Sequence, residues 1–347
     1  MRPLFFLGRG ALSFVTLFVS VLIASTVLTG LFRMLAVRVS LIDQPVSRSA
    51  HTSPLPVGGG ISIVLLYCLM VLYLAISTAI PSNELLALLT CIPVAVVGLC
   101  DDFWQLDIKW RIPVQFVAAI YAIYLLGGVP AISFYLWTLE NVWILSILAA
   151  VALVWLLNLF NFMDGIDGLA GIELVSVNLL SYLFVMNSGD QMLQHLALLF
   201  IASGLGFLVW NWAPARVFMG DVGSSFLGFS LGLMALLSMH HGTMTVWVWL
   251  LLLGVFVVDA TFTLARRYIQ GEKWYEGHTS HAYQNAARCY KSHRKVSITV
   301  LLINCLWLAP LAWLAMLYQD MGILIAIVGI FPLIILAKRF KAGTQAF

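Results

Sequence analysis

Long apolar runs recur about eleven times along this chain, at roughly 11–36, 57–80, 85–100, 112–128, 142–160, 169–187, 192–213, 223–240, 244–265, 296–318 and 321–338. Crossing the hydrocarbon core of a bilayer takes about 20 apolar residues in a helix. Inside lipid only helices and closed barrels satisfy their own backbone hydrogen bonds. The runs therefore predict an all-α, polytopic membrane protein of about eleven transmembrane helices, a single domain over residues 1–347. A soluble fold is excluded by the same pattern: 62% of the residues are hydrophobic and 10% are charged, more apolar surface than one core can hide. The first run, Ala11 to Ala36, is too long for a signal-peptide core and reads as a retained helix. The segment 129–141 fits either a short re-entrant piece or a surface piece. Cys68, Cys91, Cys100, Cys289 and Cys305 are scattered without metal spacing and read as small hydrophobes.

The charges divide the loops into two sets. Loops near 81–84, 129–141, 188–191, 240–243 and 319–321 contain no Lys or Arg, and the alternate loops carry all of them except Arg2 and Arg9. Basic residues mark the cytoplasmic side. The N-terminus is thus expected to be periplasmic and the tail with Lys338, Arg339 and Lys341 cytoplasmic. Most acids follow the same side: Asp43, Asp101, Asp102, Asp107, Asp164, Asp167, Asp221, Glu272 and Glu276. Glu173 and Asp259 fall inside helices near that end. Solvated charges with no task would scatter over both faces. Both signs on one face predict a polar cytoplasmic site, built from loops at approximately 37–56, 101–111, 161–168, 214–222 and 266–295.

Five segments carry the chemistry. The first inner loop, LIDQPVSRSAHTSPLPVGGG, offers Arg48 and His51 as anion holders, and Gly58 to Gly60 permit a close backbone approach. In CDDFWQLDIKWR, Asp101 and Asp102 end an apolar helix, a pair suited to a metal or to accepting a proton, with Lys109 and Arg111 near enough to balance them. In LNLFNFMDGIDGLAG, Asn158, Asn161, Asp164 and Asp167 share one face as long as the segment stays helical. Such a polar ridge in an apolar helix is costly unless partnered. In FMGDVGSSFLG, Asp221 stands at a helix start, where it either caps the helix or holds a metal. The longest loop adds Arg266, Arg267, His278 and His281. A zinc pair there lacks a third nitrogen or sulfur ligand. Carboxylates and guanidiniums together point to Mg²⁺-phosphate chemistry, and the phosphate with reason to be met at a membrane boundary belongs to a lipid.

At CDDF, NFMDGIDGLAG, FMGDVGSSFLG and HTSHAYQ the sequence resembles the polyprenyl-phosphate N-acetylhexosamine-1-phosphate transferases, the MraY/WecA superfamily within glycosyltransferase family 4. The four segments stand in the family's order, and the resemblance covers nearly the whole chain. The last segment looks most like the WbpL-like branch that initiates O-antigen synthesis. It departs from the DRxHxHH-type ending of WecA, and Thr279 stands where many of that branch carry Arg.

The resemblance implies a ten- or eleven-helix fold in the bacterial inner membrane with a cytoplasmic active site. It implies transfer of a sugar-1-phosphate, from an N-acetylhexosamine or its 6-deoxy form, from a UDP-sugar to undecaprenyl phosphate, with release of UMP. It also implies Mg²⁺, with Mn²⁺ as a substitute, and a homodimer is within what related proteins show. By motif match the catalytic residues are Asp101, Asp102 and Asp164, and the metal ligands Asp221 and Asp102. Asn161, His278 and His281 fall on the family's substrate-contacting segments, and the reading of the residues themselves adds Arg48, His51, Asn158 and Arg267 as substrate contacts. Asp101 is the expected proton acceptor of the lipid phosphate, and no nucleic-acid partner is expected. Three other readings compete. A CDP-alcohol phosphotransferase would need the longer DG…AR…G…D…D pattern, which DGIDGLAG does not continue. A UbiA-type prenyltransferase would use the aspartates of DDFWQLD, but DGIDG is a poor second motif. A secondary transporter would need acids near the bilayer midplane, and only Glu173 and Asp259 are candidates.

Overall fold

The computed structural model describes residues 7–44, 54–77, 80–273 and 278–344, with side chains from residue 14 onward. Arg48 and His51 lie outside the described residues. Fifteen α-helices are described. They are α1 (Leu7–Arg38), α2 (Ile61–Ser77), α3 (Ser82–Leu89), α4 (Cys91–Trp104), α5 (Ile108–Leu125), α6 (Val142–Met163), α7 (Leu169–Val185) and α8 (Gln191–Asn211). After them come α9 (Asp221–His240), α10 (Val246–Leu252), α11 (Gly254–Ile269), α12 (Ala282–Tyr290), α13 (His293–Ile303), α14 (Ala309–Leu317) and α15 (Gly322–Arg339). Each apolar run of the sequence coincides with one of these helices or with a consecutive pair. The chain is an all-α polytopic membrane protein. Among the described residues seven helical stretches are long and apolar enough to cross a membrane, or eight if the bent pair α10–α11 is one span. That is fewer than the eleven runs, because α2 and α7 are shorter apolar helices and α5 opens with Lys109 and Arg111.

Two expectations change. The run 244–265 is not one helix: α10 and α11 meet at an 80° bend at Leu253. The segment 129–141 forms a hairpin of β1 (Ile132–Ser133) and β2 (Thr138–Leu139). It is held by stacking of Phe134 on Trp137 and by a hydrogen bond from the Trp247 indole to the Ser133 carbonyl, 2.8 Å.

The bundle is built around α8 and α9, of whose membrane-length windows 83% and 89% is buried, against 17% for α1 and 28% for the span containing α15. Close approach is what small residues permit between helices in lipid. A Cβ on Gly60 of α2's leading turn would strike the Cα of Gly223 on α9, and a Cβ on Gly98 of α4 would strike the Asp221 carbonyl. The N–H groups of Gly59 and Gly60 donate to the carbonyls of Phe218 and Met219, both at 2.9 Å. The glycine run of the first inner loop thus works as the sequence implies. Together these contacts bring the start of α9 against the ends of α2 and α4.

Candidate active site

At that end of the bundle a cavity of about 640 Å³ opens. Its carboxylates are Asp43, Asp101, Asp102, Asp164 and Asp221, and Arg111 is its cation. Asn161 and Ser224 add polar walls, and Phe218 and Ile166 apolar ones. Five of the sequence-predicted site residues therefore meet: Asp101, Asp102, Asn161, Asp164 and Asp221.

The two adjacent aspartates of α4 do different things. Asp102 accepts from the N–H groups of Asp221 (2.7 Å) and Val222 (3.0 Å), one on each carboxylate oxygen. It is the anion at the N-terminus of α9, where free N–H groups and the helix dipole favour negative charge. Both oxygens of Asp102 are thus engaged by backbone, which makes it the anchor of the start of α9. Asp101 accepts from the Leu106 N–H (2.7 Å) and pairs with the Arg111 guanidinium. Arg111 reaches across to Asp221 at 3.4 Å. Lys109, the other candidate counter-ion, turns instead to Asp107 at 2.6 Å, and both side chains are exposed.

Asp221 does not cap its own helix. Its carboxylate faces the cavity, where Asn161 donates to it at 2.6 Å and also approaches Ser224 at 3.2 Å. Asp164 stands at the end of α6, and among the described residues its carboxylate accepts no hydrogen bond. Burial pushes its pKa well above the usual carboxylate range, and the charges of Asp102 and Asp167 add to the rise.

The expected polar ridge divides at this point. The helix ends at Met163, and Gly168 takes a left-handed conformation, φ +77°. Asp164 consequently faces the cavity, whereas Asp167 turns away and accepts from the Ala215 N–H (3.1 Å) and pairs with His293 (3.4 Å). Asn158, one turn deeper, binds Gln115 (3.0 Å) and the Val154 carbonyl (2.7 Å) and does not line the cavity.

The histidines form a second cluster beside the first. The rings of His278 and His281 stack at 4.9 Å, with Phe162 6.2 Å from His281. Tyr283 joins the two regions: its hydroxyl donates to the Phe162 carbonyl at 2.8 Å and lies against Gly165. His281 is 1% exposed, and its Nδ1 lies 3.3 Å from Asp259. In this arrangement it is closed to substrate phosphate, unlike the expectation. Burial, with help from His281 and Arg267, lowers the His278 pKa to about 3. The ring is therefore neutral in this arrangement. Arg267 is paired with Glu272 at 2.6 Å.

Asp259 is the residue whose role the sequence hid. From within α11 it accepts from the N–H groups of Ala282 (2.9 Å) and Tyr283 (2.8 Å), from Thr263 Oγ1 (3.1 Å), and faces His281. It anchors the first turn of α12 and so the whole histidine segment. An acid so fully engaged offers nothing to a transport path. Glu173 accepts from Asn304 at 2.7 Å through one carboxylate oxygen, and its other oxygen is buried without a hydrogen-bond partner among the described residues.

Among the described residues no three His, Cys, Asp or Glu side chains converge as a metal cage. Zinc is unsuited to such a donor set. Mg²⁺ takes one or two carboxylates and completes its shell with water and phosphate oxygens. Asp221 and Asp101, already drawn around one cation at Arg111, fit that requirement.

Comparison with known proteins bears on the same residues. Residues 84–239 match the family described as glycosyl transferase family 4. That stretch holds Asp101, Asp102, Asn161, Asp164 and Asp221 and stops short of the histidines. A probable undecaprenyl-phosphate N-acetylglucosaminyl 1-phosphate transferase of Bacillus subtilis (strain 168) is 27% identical over 303 residues, 84% of this chain and 82% of that protein. The phospho-N-acetylmuramoyl-pentapeptide-transferase of Hydrogenobaculum sp. (strain Y04AAS1) is 42% identical over 77 residues, 22% of this chain and 20% of its own. That of Rickettsia canadensis (strain McKiel) is 35% identical over 95 residues, 27% and 24% of the two chains. The match to these pentapeptide-transferases spans only about a quarter of their length or less.

Proposed function

We propose, from the premise that the chain belongs to glycosyl transferase family 4 within the MraY/WecA superfamily, that it transfers a sugar-1-phosphate from a UDP-sugar to undecaprenyl phosphate and releases UMP. The observation that carries this reading is the cavity lined by Asp101, Asp164 and Asp221 at one end of a membrane bundle, with Arg111 paired to Asp101 and Asp221. A lipid phosphate and a soluble nucleotide can meet there. The sugar is an N-acetylated hexosamine, its 6-deoxy forms included, and the product begins an O-antigen or another envelope glycan. The HTSHAYQ segment supports that assignment. The side that bears the cavity is cytoplasmic and the membrane is the bacterial inner membrane, which the one-sided Lys and Arg distribution supports.

In the reaction a lipid phosphate oxygen attacks the β-phosphorus of the UDP-sugar. The bond to the bridging oxygen breaks, UMP departs, and one phosphoanhydride replaces another. Asp164, with no hydrogen bond of its own, is the group free to take a remaining proton from the lipid phosphate. Asp101 is less suited to that role, since Leu106 and Arg111 hold both its oxygens. Mg²⁺ would be held by Asp221 with Asp101 beside it, and when bound it supplies charge neutralisation to the diphosphate. Asn161 orients Asp221. Arg111 offers a planar fork to the phosphates. Asp102 keeps the start of α9, and with it Asp221, in place. Positioning and fixed charge thus carry most of the acceleration.

The test is transfer of label from UDP-N-acetylhexosamines to undecaprenyl phosphate in membranes, with and without Mg²⁺. Mg²⁺-dependent labelled lipid and stoichiometric UMP are the expected products. Folded protein that transfers from no donor would refute the reading.

A further inference from the structure

A second large cavity shares no lining residue with the carboxylate site. It is a groove of about 560 Å³ between α11, α13 and α15, roofed by α12. Its walls are apolar, with Val258, Val296, Val300 and Leu333 all buried. Its mouth is different: Lys295 from the first turn of α13, Arg339 from the last turn of α15, and Tyr290. Lys295 and Arg339 are exposed, and among the described residues neither has a carboxylate partner. α13 and α15 belong to the less buried spans, 33% and 28%, so the groove lies on the membrane-facing side of the bundle.

The charge at the mouth has a cost that an anion would offset. α13 opens with His293, Arg294 and Lys295, three basic residues at the positive end of the helix dipole, where cations are unfavourable. His293 is answered by Asp167. Lys295 has no such answer, and Arg339 lines the same mouth. The one acid on the wall, Asp259, already holds two backbone N–H groups. An apolar slot with two unpaired cations at its rim, at the level of the helix ends, matches one molecule: a lipid with an anionic head.

We propose that this groove binds an anionic phospholipid of the surrounding bilayer, one acyl chain between α11, α13 and α15 and the phosphate between Lys295 and Arg339. The occupant is bulk phospholipid and not the acceptor lipid, because Tyr283 stands between the groove and the carboxylate cavity. Its hydroxyl lies against Gly165 while its ring lines the groove. The lipid would buttress α12, the helix that follows the histidine segment.

The test uses the full-length protein in detergent, stripped of lipid and then titrated with phosphatidylglycerol or phosphatidylcholine, bound lipid being counted by native mass spectrometry. One phosphatidylglycerol per chain is expected, at least about ten-fold tighter than phosphatidylcholine, the contrast two basic side chains supply between a net-negative and a zwitterionic headgroup. The double variant Lys295→Glu/Arg339→Glu should bind both lipids alike, and Lys109→Glu should behave as the parent. Val300→Trp, which fills the slot and leaves the rim unchanged, should also lose the bound phosphatidylglycerol. If charge reversal impairs folding, Lys295→Gln/Arg339→Gln reads the same loss. Equal binding of the two lipids by the parent, or undiminished phosphatidylglycerol in the rim variants, would overturn the proposal. So would displacement of the lipid by stoichiometric undecaprenyl phosphate, which would make the groove the acceptor's.

Discussion

Two carboxylates that look alike in sequence, Asp101 and Asp102, are separated by what surrounds each one. Asp102 is committed to backbone N–H groups and Asp101 to a guanidinium, which leaves Asp164 as the acid without a hydrogen-bond partner in the cavity. Asp164→Asn keeps size and polarity and removes basicity. It is expected to cut kcat by about 10²-fold or more, the scale of a general base, with little change in KM for the UDP-sugar; steady-state kinetics of the transfer reaction check it. Asp259 differs in kind. Asp259→Ala leaves the Ala282 and Tyr283 N–H groups and His281 without their acceptor inside a buried site. A loss of about 2–4 kcal/mol is expected for such unpaired groups, read as a lower Tm in detergent. Asp259→Asn, which still accepts hydrogen bonds, should recover more than half of that loss.

At the scale of elements, α9 is held at both ends by side chains from other helices. At its N-terminus the anchor is Asp102, and Asp102→Ala should cost about 1–2 kcal/mol for the lost cap and disorder Asp221 with it. Thermal unfolding should therefore fall together with activity, whereas a purely catalytic residue would spare stability. At the opposite end His241, just past α9, lies 2.7 Å from Asp190 and 3.3 Å from Glu84, linking α9 to α8 and α3. The Asp190 contact chiefly raises the His241 pKa to about 9. Because the folded value lies above the unfolded one, the stabilisation is complete below about pH 6.5 and fades as pH rises through about 9. His241→Gln should then lower stability by roughly 1–3 kcal/mol at pH 6 and by much less at pH 10. A mutant-minus-parent Tm difference independent of pH would dismiss the charged clasp. The helices themselves were legible because lipid leaves hydropathy as nearly the only rule, and each apolar run became helix. The site was legible where acids and amides sat at helix ends, as with Asn161 and Asp221. It was illegible where one side chain serves another helix: nothing local marks Asp259 as the anchor of a segment 22 residues later, or Asp102 as the cap of a helix more than a hundred residues on. Nor does periodicity announce that α6 stops at Met163 and sends Asp164 and Asp167 to different neighbours.

At the scale of the whole molecule, the arrangement has one rich end and one poor end. The carboxylate cavity, the histidine cluster, α12 and the basic starts and ends of α13 and α15 all gather at the first. The hairpin and the Glu84–Asp190–His241 clasp occupy the second, whose loops at 81–84, 129–141, 188–191 and 240–243 hold no Lys or Arg. A membrane enzyme that draws a nucleotide sugar from the cytoplasm needs its rich end there, and the charge bias predicts the same side. A native reporter exists for this. Cys289 on α12 is exposed, whereas Cys91 is buried and Cys68, Cys100 and Cys305 are partly covered within helices of the bundle. A membrane-impermeant maleimide should therefore label inverted inner-membrane vesicles through Cys289 and leave sealed right-side-out vesicles unlabelled, with Cys289→Ser removing the signal. Labelling from the periplasmic side alone would reverse the topology and place the cavity where no nucleotide sugar is supplied. The transfer reaction proposed above would then have to be abandoned, because it needs the cavity on the side where a nucleotide sugar is supplied.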